Sequence, residues 1–274
     1  MLELPETITI GTQIKKTLSG KTVLRVLPPT KPHKFTWFGG DPADFDSRMR
    51  GSRVVAGNGF GSNAEFVLDN GLFLNFSDGA SPRLYESVAA TPKDYQLLIE
   101  FSDGAALAVS VAMYGGIVLH DSAYDNPYYT ASRSAVSPLS GDFAAHFERI
   151  FSESKPTLSA KAFLATEQRF PGLGNGALQD ILLNAGIHPK RKIGTLSEAE
   201  RARLLDAVIS TLQEMTARGG RDTEKDLFGK PGGYRTKLSK NTLATGCPHC
   251  GGPIVKEAYM GGAVYFCPAC QPLN

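Results

Sequence analysis

The 274-residue chain is 42% apolar and 20% charged, with a formal net charge of +2. That is enough apolar material for a real core, divided into two domains and a small terminal module. The charge is too small to establish a nucleic-acid partner. All four cysteines fall in one cluster, which excludes a disulfide framework spread over the chain.

Met1-Leu-Glu-Leu-Pro-Glu6 is acidic and has no basic region followed by an apolar run, so it does not read as a secretion signal. A helix starts here: Pro5 suits its first turn, Ile10, Ile14 and Leu18 recur at helical spacing, and Gly20 ends it. Strand patterns follow. Phe66-Val-Leu68 and Leu72-Phe-Leu74 flank Asp69-Asn-Gly71, while Leu97 to Phe101 and Ala105 to Val111 flank Asp103-Gly104, both with the turn chemistry of hairpins. Gly104 to Leu119, the longest uncharged stretch, is shorter than the ~20 residues of a membrane helix and reads as buried strands. Meandering strands of this kind predict an antiparallel sandwich or barrel, in a soluble intracellular protein with no membrane partner.

A polar linker near Asp121 to Ser140 leads into a helical half. Leu178, Ile181, Leu182 and Ala185 mark one face of a helix that opens at Gly174-Asn-Gly176 and stops at Gly186. Ser197 and Glu200 form a capping box for the next helix, whose Leu204, Leu205, Val208, Ile209 and Leu212 face the core until Gly219-Gly220. Seven basic residues between Arg218 and Lys240 outnumber three acidic ones, and Lys190-Arg-Lys192 repeats the excess; such clusters read as solvated faces or as phosphate contacts. In Pro171 to Asp180 the glycines allow close backbone approach, and Asn175 either caps the helix or offers its amide to a phosphate.

Cys247/Cys250 and Cys267/Cys270 each have the C-x-x-C spacing that lets one tight turn present two thiolates, and sixteen residues separate the pairs, as in a zinc ribbon. One structural Zn²⁺ is expected, with two local disulfides as the alternative. Four thiolates leave no coordination position for water, and His249 inside the first pair is not needed as a ligand. Ala263-Val-Tyr-Phe266 reads as a short strand between the pairs.

Leu4-Pro-Glu6, Gly172-Leu-Gly-Asn175 with Ala185-Gly-Ile-His-Pro189, Gly229-Lys-Pro-Gly232 and Tyr265-Phe-Cys-Pro-Ala-Cys-Gln271 together resemble the formamidopyrimidine-DNA glycosylase and endonuclease VIII family, in the same order and over nearly the whole chain. The resemblance implies an α+β fold: an N-terminal helix and antiparallel β-sandwich (1–130), a helix-two-turn-helix bundle (131–238) and a four-cysteine zinc ribbon (239–274). It implies a monomer that grips double-stranded DNA containing a lesion between its two halves and flips the damaged nucleotide out. In most members an N-terminal proline, exposed by loss of Met1, attacks the sugar through its amine, and the following glutamate transfers protons.

By this resemblance Glu3 stands at the catalytic glutamate and Glu6 at a second acidic position. Gln168, Gly174, Asn175, Lys230 and Arg235 fall at DNA-binding positions, and Asp180 is a shorter version of a glutamate. Leu2, however, stands where the nucleophilic proline should be, and its size predicts that Met1 stays. Ser62 falls at the catalytic, phosphate-binding lysine. Asp78, Met113 and Gly115 fall at the intercalating methionine and the void-filling arginine and phenylalanine, and Gly262 at the ribbon's arginine.

Fold and docking are thus expected to persist while the covalent step is lost. One reading is a monofunctional glycosylase of base excision repair with weak or absent lyase activity, in which Glu3, with Glu6, orients a water for attack on the sugar or stabilises a cationic sugar-like transition state. The alternative is a catalytically degenerate binder of damaged or abasic DNA; a third reading keeps Schiff-base chemistry on the Met1 amine. Glu3 also reads simply as a helix-start charge favoured by the dipole. Gly57 to Ala64 is read as a glycine-rich loop serving a remodelled pocket, with Phe60 stacking on a base, filling the gap or anchoring the loop. The expected location is the cytoplasm of a bacterial-type cell, at the nucleoid when bound to DNA.

Overall fold

The computed structural model describes residues 1–273. Helix α1 (Leu4–Leu18) begins as the sequence predicts, with Pro5 in its first turn and Ile10, Ile14 and Leu18 fully buried. It lies on strand β3 (Val54–Phe60), and the glycines of that strand explain the contact. A Cβ on Gly59 would stand 2.0 Å from the carbonyl oxygen of Thr7, so only glycine lets helix and strand backbones touch. Gly57 and Gly59, expected in a pocket loop, are therefore part of a strand packed on α1, whereas Ser62 and Asn63 of the same tract do line a cavity. Phe60 is the anchor of that strand, edge-on to Tyr129 at 5.6 Å and 5.2 Å beneath the Arg133 guanidinium.

Both hairpins form at the turns expected. Strand β4 (Asn63–Leu68) returns as β5 (Phe73–Tyr85), and β6 (Leu97–Phe101) as β7 (Ala106–His120). With β1 (Val23–Leu27) the sheet order is β1-β6-β7-β5-β4-β3, and β2 (Thr36–Phe38) runs parallel beside β7. A bulge between Asp78 and Ala80 divides the β5–β7 ribbon into halves with different neighbours: β6 flanks one, β2 the other. Both halves contribute to one core, with Leu74, Phe76 and Ile117 from one and Leu107 and Val109 from the other, as in a sandwich. The uncharged tract read as buried strands is one continuous strand, covered at both ends and exposed at Ala112-Met-Tyr114.

Between β1 and β3 lies a short helix α2 (Phe45–Met49). The segment read as a polar linker contains helix α3 (Pro127–Ser134), whose Tyr129 is buried against the sheet. Two further helices, α4 (Phe143–Glu153) and α5 (Ala160–Ala165), precede α6 (Asn175–Ala185) and α7 (Glu198–Ala217). Phe143, Phe147, Phe163 and Phe170 interlock at centroid distances from 5.3 to 6.1 Å and form the centre of this second core. Gly186 ends α6 in the left-handed conformation (φ 69°), and Ser197 with Glu200 caps α7, both as the sequence predicts.

Much of the expected basic surface is internally neutralised. Arg191 pairs with Glu200 at 2.8 Å and Lys190 pairs with Glu257. Arg221 is buried, Arg218 pairs with Glu214, and Lys237 donates to Asn184 Oδ1. Lys225, Lys230, Arg235 and Lys240 remain exposed and make no ion pair among the described residues. The loop after α7 folds back on the first half: Leu227 joins the sandwich core, and its N–H donates to Gln13 Oε1. The chain ends in the hairpin β8 (Val255–Tyr259) and β9 (Gly262–Phe266). No described helix is long and apolar enough to cross a membrane.

Candidate functional site

Three segments distant in sequence meet at the N-terminus. The Leu2 N–H donates to the Asp78 carbonyl (2.6 Å), the Leu4 N–H to the Gly172 carbonyl (2.9 Å), and the Thr7 hydroxyl to the Gly61 carbonyl (3.0 Å). Leu2 is 7% exposed, with its side chain in the sandwich core, which is why an aliphatic residue is accepted there. The Met1 ammonium is paired with Glu224 at 2.8 Å.

Glu3 and Glu6 face inward, to Arg221. Glu6 receives Arg221 Nε (3.1 Å), Nη2 (2.8 Å) and the Arg221 backbone N–H (3.0 Å). It also accepts the Glu3 N–H at 3.2 Å. Glu3 takes Arg221 Nη1 at 3.2 Å and receives the Gly176 and Ala177 N–H groups at 2.7 and 2.8 Å, so it caps α6 from 173 residues away in sequence. A carboxylate suits that position, where exposed N–H groups and the helix dipole favour negative charge. Gly174 and Gly176 make room for this cluster. A Cβ on Gly174 would lie 2.6 Å from Glu3 Cδ, and one on Gly176 would lie 1.4 Å from Arg221 Nη1. The buried carboxylates hold the guanidinium's pKa above its ordinary value against the cost of burial. In this structure Glu3 and Glu6, expected as reacting acids, are both paired with the buried Arg221. Gly174, expected at the DNA, faces Glu3.

Beside this cluster opens a cavity of about 280 Å³. Its wall includes Trp37, Ser62, Asn63, Asn75, Asp78 and Gln168, and neither Glu3 nor Glu6 lines it. Ser62, where the resemblance expects lysine, therefore does reach the cavity, without a charge. Asn75 gives its amide N–H to Asn63 Oδ1 at 2.9 Å, and its own Oδ1 is buried with no partner. Trp37 is 49% exposed and stacks on Tyr114 with centroids 6.3 Å apart and planes 11° apart. Asp78 and Gln168 both hold positive φ (57° and 53°), a costly backbone state for such residues that concentrates at functional sites. Burial holds the Asp78 carboxyl above its ordinary pKa.

Of the expected DNA-binding residues, Asn175 is exposed at the start of α6. Gly174 is that helix's N-cap, and the Asn175 amide donates to the Ala263 carbonyl at 2.9 Å. Gln179 donates to the same carbonyl at 3.1 Å and accepts the Tyr265 N–H at 3.0 Å, so α6 is tied to the terminal hairpin. Lys161 sits beside this junction. Its ammonium donates to the Tyr259 carbonyl at 2.6 Å and would lie 3.6 Å from a Cβ on Gly262, with Asn175 Nδ2 at 3.5 Å. Lys161 is 4% exposed, burial lowers its pKa, and it has no acidic partner among the described residues. No charge run marks it in sequence, so only the fold brings it to the Gly262 position. Lys230 and Arg235 lie on the exposed loop after α7. Asp180 points inward, accepting the Lys237 and Leu238 N–H groups at 2.8 Å each, and burial pushes its carboxyl up to about 6.

The four cysteine sulfurs lie within 4.8 Å of one another. Cys247 and Cys270 are 3.8 Å apart, Cys250 and Cys267 3.5 Å, and all four are free thiols. A tetrahedron of sulfurs about 2.3 Å from a central ion has an edge of about 3.8 Å, whereas a disulfide requires about 2.05 Å. The close contacts also join one pair to the other, opposite to two local disulfides. The donor set fits a metal ion, and His249 is not part of the cluster.

No protein-family model matches the chain. Its full length does align with curated proteins named formamidopyrimidine-DNA glycosylase. The Acidothermus cellulolyticus protein is 29% identical, covering 100% of this chain and 98% of that one, and the Brevibacillus brevis protein is 25% identical, covering 99% of each. The chain is thus similar over its whole length to formamidopyrimidine-DNA glycosylases. Among solved structures, the Lactococcus lactis protein in complex with abasic-site DNA superposes with a TM-score of 0.83 at 22% identity, over 98% of this chain and 99% of that one. A complex of the same protein with DNA containing Fapy-dG gives 0.82 over 98% and 100%. These place the mixed helix and antiparallel sheet architecture in that fold.

Proposed function

We propose that this protein binds damaged double-stranded DNA between its sandwich (1–130) and its helical bundle (131–238), and releases a damaged base by hydrolysis, without a Schiff base. The observation that carries this reading is the state of the two N-terminal nitrogens. The Leu2 nitrogen is an amide that donates to Asp78, and the Met1 ammonium is paired with Glu224. Neither is a free amine aimed into the cavity, yet the cavity remains and is lined by aromatic and amide groups suited to an extruded base. The unpartnered Asn75 Oδ1 is an acceptor for a base N–H, and the exposed Trp37 and Tyr114 are a stacking surface.

The DNA grip in this reading comes from Asn175, Gln168, Lys230 and Arg235. Lys161 supplies beside Gly262 the cation that the ribbon there lacks. The four cysteines of the 239–274 module hold one structural Zn²⁺, which keeps the hairpin docked on α6. Glu3 and Glu6 orient α1, α6 and the N-terminus. The protein acts as a monomer in the cytoplasm.

The test is incubation with duplexes carrying Fapy-dG, 8-oxoguanine or an oxidised pyrimidine, each analysed with and without alkali, together with borohydride trapping on abasic-site DNA. Base release that needs alkali for strand cleavage, with no trapped adduct, is expected. A trapped adduct on the Met1 amine would overturn the hydrolytic route. Tight binding to abasic DNA without release of any base would favour the second reading, a damage-binding protein; the locked Glu3 and the neutral Ser62 are the observations on its side.

A further inference from the structure

Glu3 and Glu6 are paired with Arg221 and do not line the cavity, whereas its wall contains a third carboxylate. Asp78 makes no ion pair among the described residues; burial raises its pKa, while the Ser77 hydroxyl and the positive charge of the Met1 ammonium act in the opposite direction. The backbone position of Asp78 is set by a bulge and by a hydrogen bond to the N-terminus. The β5–β7 register slips between Asp78 and Ala80, which re-aims the strand at this residue. Its backbone is held at φ 57°. Its carbonyl receives the Leu2 N–H at 2.6 Å, which holds its backbone beside the residue that stands where a nucleophilic amine is expected.

We propose that Asp78 is the carboxylate that faces the anomeric carbon of a nucleotide held in this cavity, where it meets the positive charge developing on the sugar and accepts a proton from the attacking water. This rests on the hydrolytic reading above. Water oxygen forms a new bond to C1′ as the bond from C1′ to the base nitrogen breaks, and the electron pair leaves with the base. One water proton passes to Asp78 and from there to the departing nitrogen; the other stays on the new hydroxyl. The products are free base and an abasic sugar, and no oxidant or metal is consumed. The burial that raises the Asp78 pKa favours proton acceptance by its carboxylate.

The test uses two duplexes that differ only at the sugar, a cationic pyrrolidine abasic analogue and its neutral tetrahydrofuran counterpart. The full-length protein is expected to bind the cationic duplex more tightly, on the order of tenfold or more at low salt. Asp78→Asn, which tolerates the left-handed backbone, is expected to bind both duplexes equally with its affinity for the tetrahydrofuran duplex unchanged. Asp78→Glu, which keeps the charge, should restore part of the preference. On a duplex that the parent cleaves at the glycosidic bond, Asp78→Asn should slow single-turnover base release at least a hundredfold. A parent that shows no preference for the cation, or an Asp78→Asn variant that keeps it, overturns the assignment. A parent that releases no base from any lesion refutes glycosylase activity, and the assignment of Asp78 to the cationic sugar is then decided by the binding comparison alone.

Discussion

Replacing Arg221 with methionine tests the interior lock directly. The guanidinium is 2% exposed and serves two carboxylates from α1: Glu6 through Nε and Nη2 at 3.1 and 2.8 Å, and Glu3 through Nη1 at 3.2 Å. Methionine fills much of the volume but leaves two carboxylates, 6% and 3% exposed, without their counter-charge. Breaking a buried ion pair from one side costs about 3–5 kcal/mol, because the stranded charge has neither water nor partner. Arg221→Lys should cost less, since it keeps the charge but loses the fork that reaches both acids. The assay is urea unfolding, read as the shift in midpoint at constant slope. A double-mutant cycle sharpens it: Arg221→Met combined with Glu6→Gln should be less destabilised than the sum of the two single changes, because the second removes the charge that the first strands. A loss below about 1 kcal/mol for Arg221→Met, or additive effects in the cycle, would refute the lock.

Chelation of the protein should release one metal ion per chain, and Cys267→Ser should lower metal content while α1 and the sandwich stay folded, as followed by hydrogen exchange of the β8–β9 hairpin. Lys161→Met should weaken binding to any duplex alike and reduce the slope of log affinity against log salt by about 1, whereas an unchanged slope would remove Lys161 from the phosphate contacts. Gly176→Ala should behave like loss of the arginine, because the added methyl would lie 1.4 Å from Arg221 Nη1; a stable variant would mean that the guanidinium has another place to go. Glu65 is fully buried and accepts from Tyr129 Oη (2.8 Å), Arg133 Nη1 (2.6 Å) and Asn58 Nδ2 (2.9 Å), so Glu65→Gln should cost about 1–3 kcal/mol in thermal or urea unfolding through a mispaired buried donor.

What could be read without coordinates was local. Periodicity located α1, α6 and α7, Asp-Asn-Gly and Asp-Gly located the hairpins, and C-x-x-C spacing located the metal cluster, since each is set by neighbours in the chain. Pairings over long separations could not be read that way. Gly57 and Gly59 read as part of a pocket loop because glycine signals both turns and close backbone contact, and only the position of α1 distinguishes them. Lys190 and Arg191 looked like phosphate contacts because their partners, Glu257 and Glu200, are 67 and 9 residues away. Lys161 carried no signal, since a single lysine beside Phe163 and Leu164 resembles any amphipathic turn.

The persistence of Glu3 and Glu6 bears on mechanism in a way that the sequence pattern conceals. Two acids retained beside a lost nucleophile suggest catalysis, since a binding protein has no evident need for them. The buried Arg221 supplies that need. Once a guanidinium is enclosed between α1 and α6, both carboxylates are required to neutralise it and to cap α6, whether or not the protein turns over a substrate. Their retention therefore says nothing about chemistry. Asp78 looked like a loss, an acid where a wedge of methionine was expected, yet among these three acids it is the one that lines the cavity and is not consumed by the fold. The functional question thus moves from the two acids that fit the resemblance to the one that departs from it.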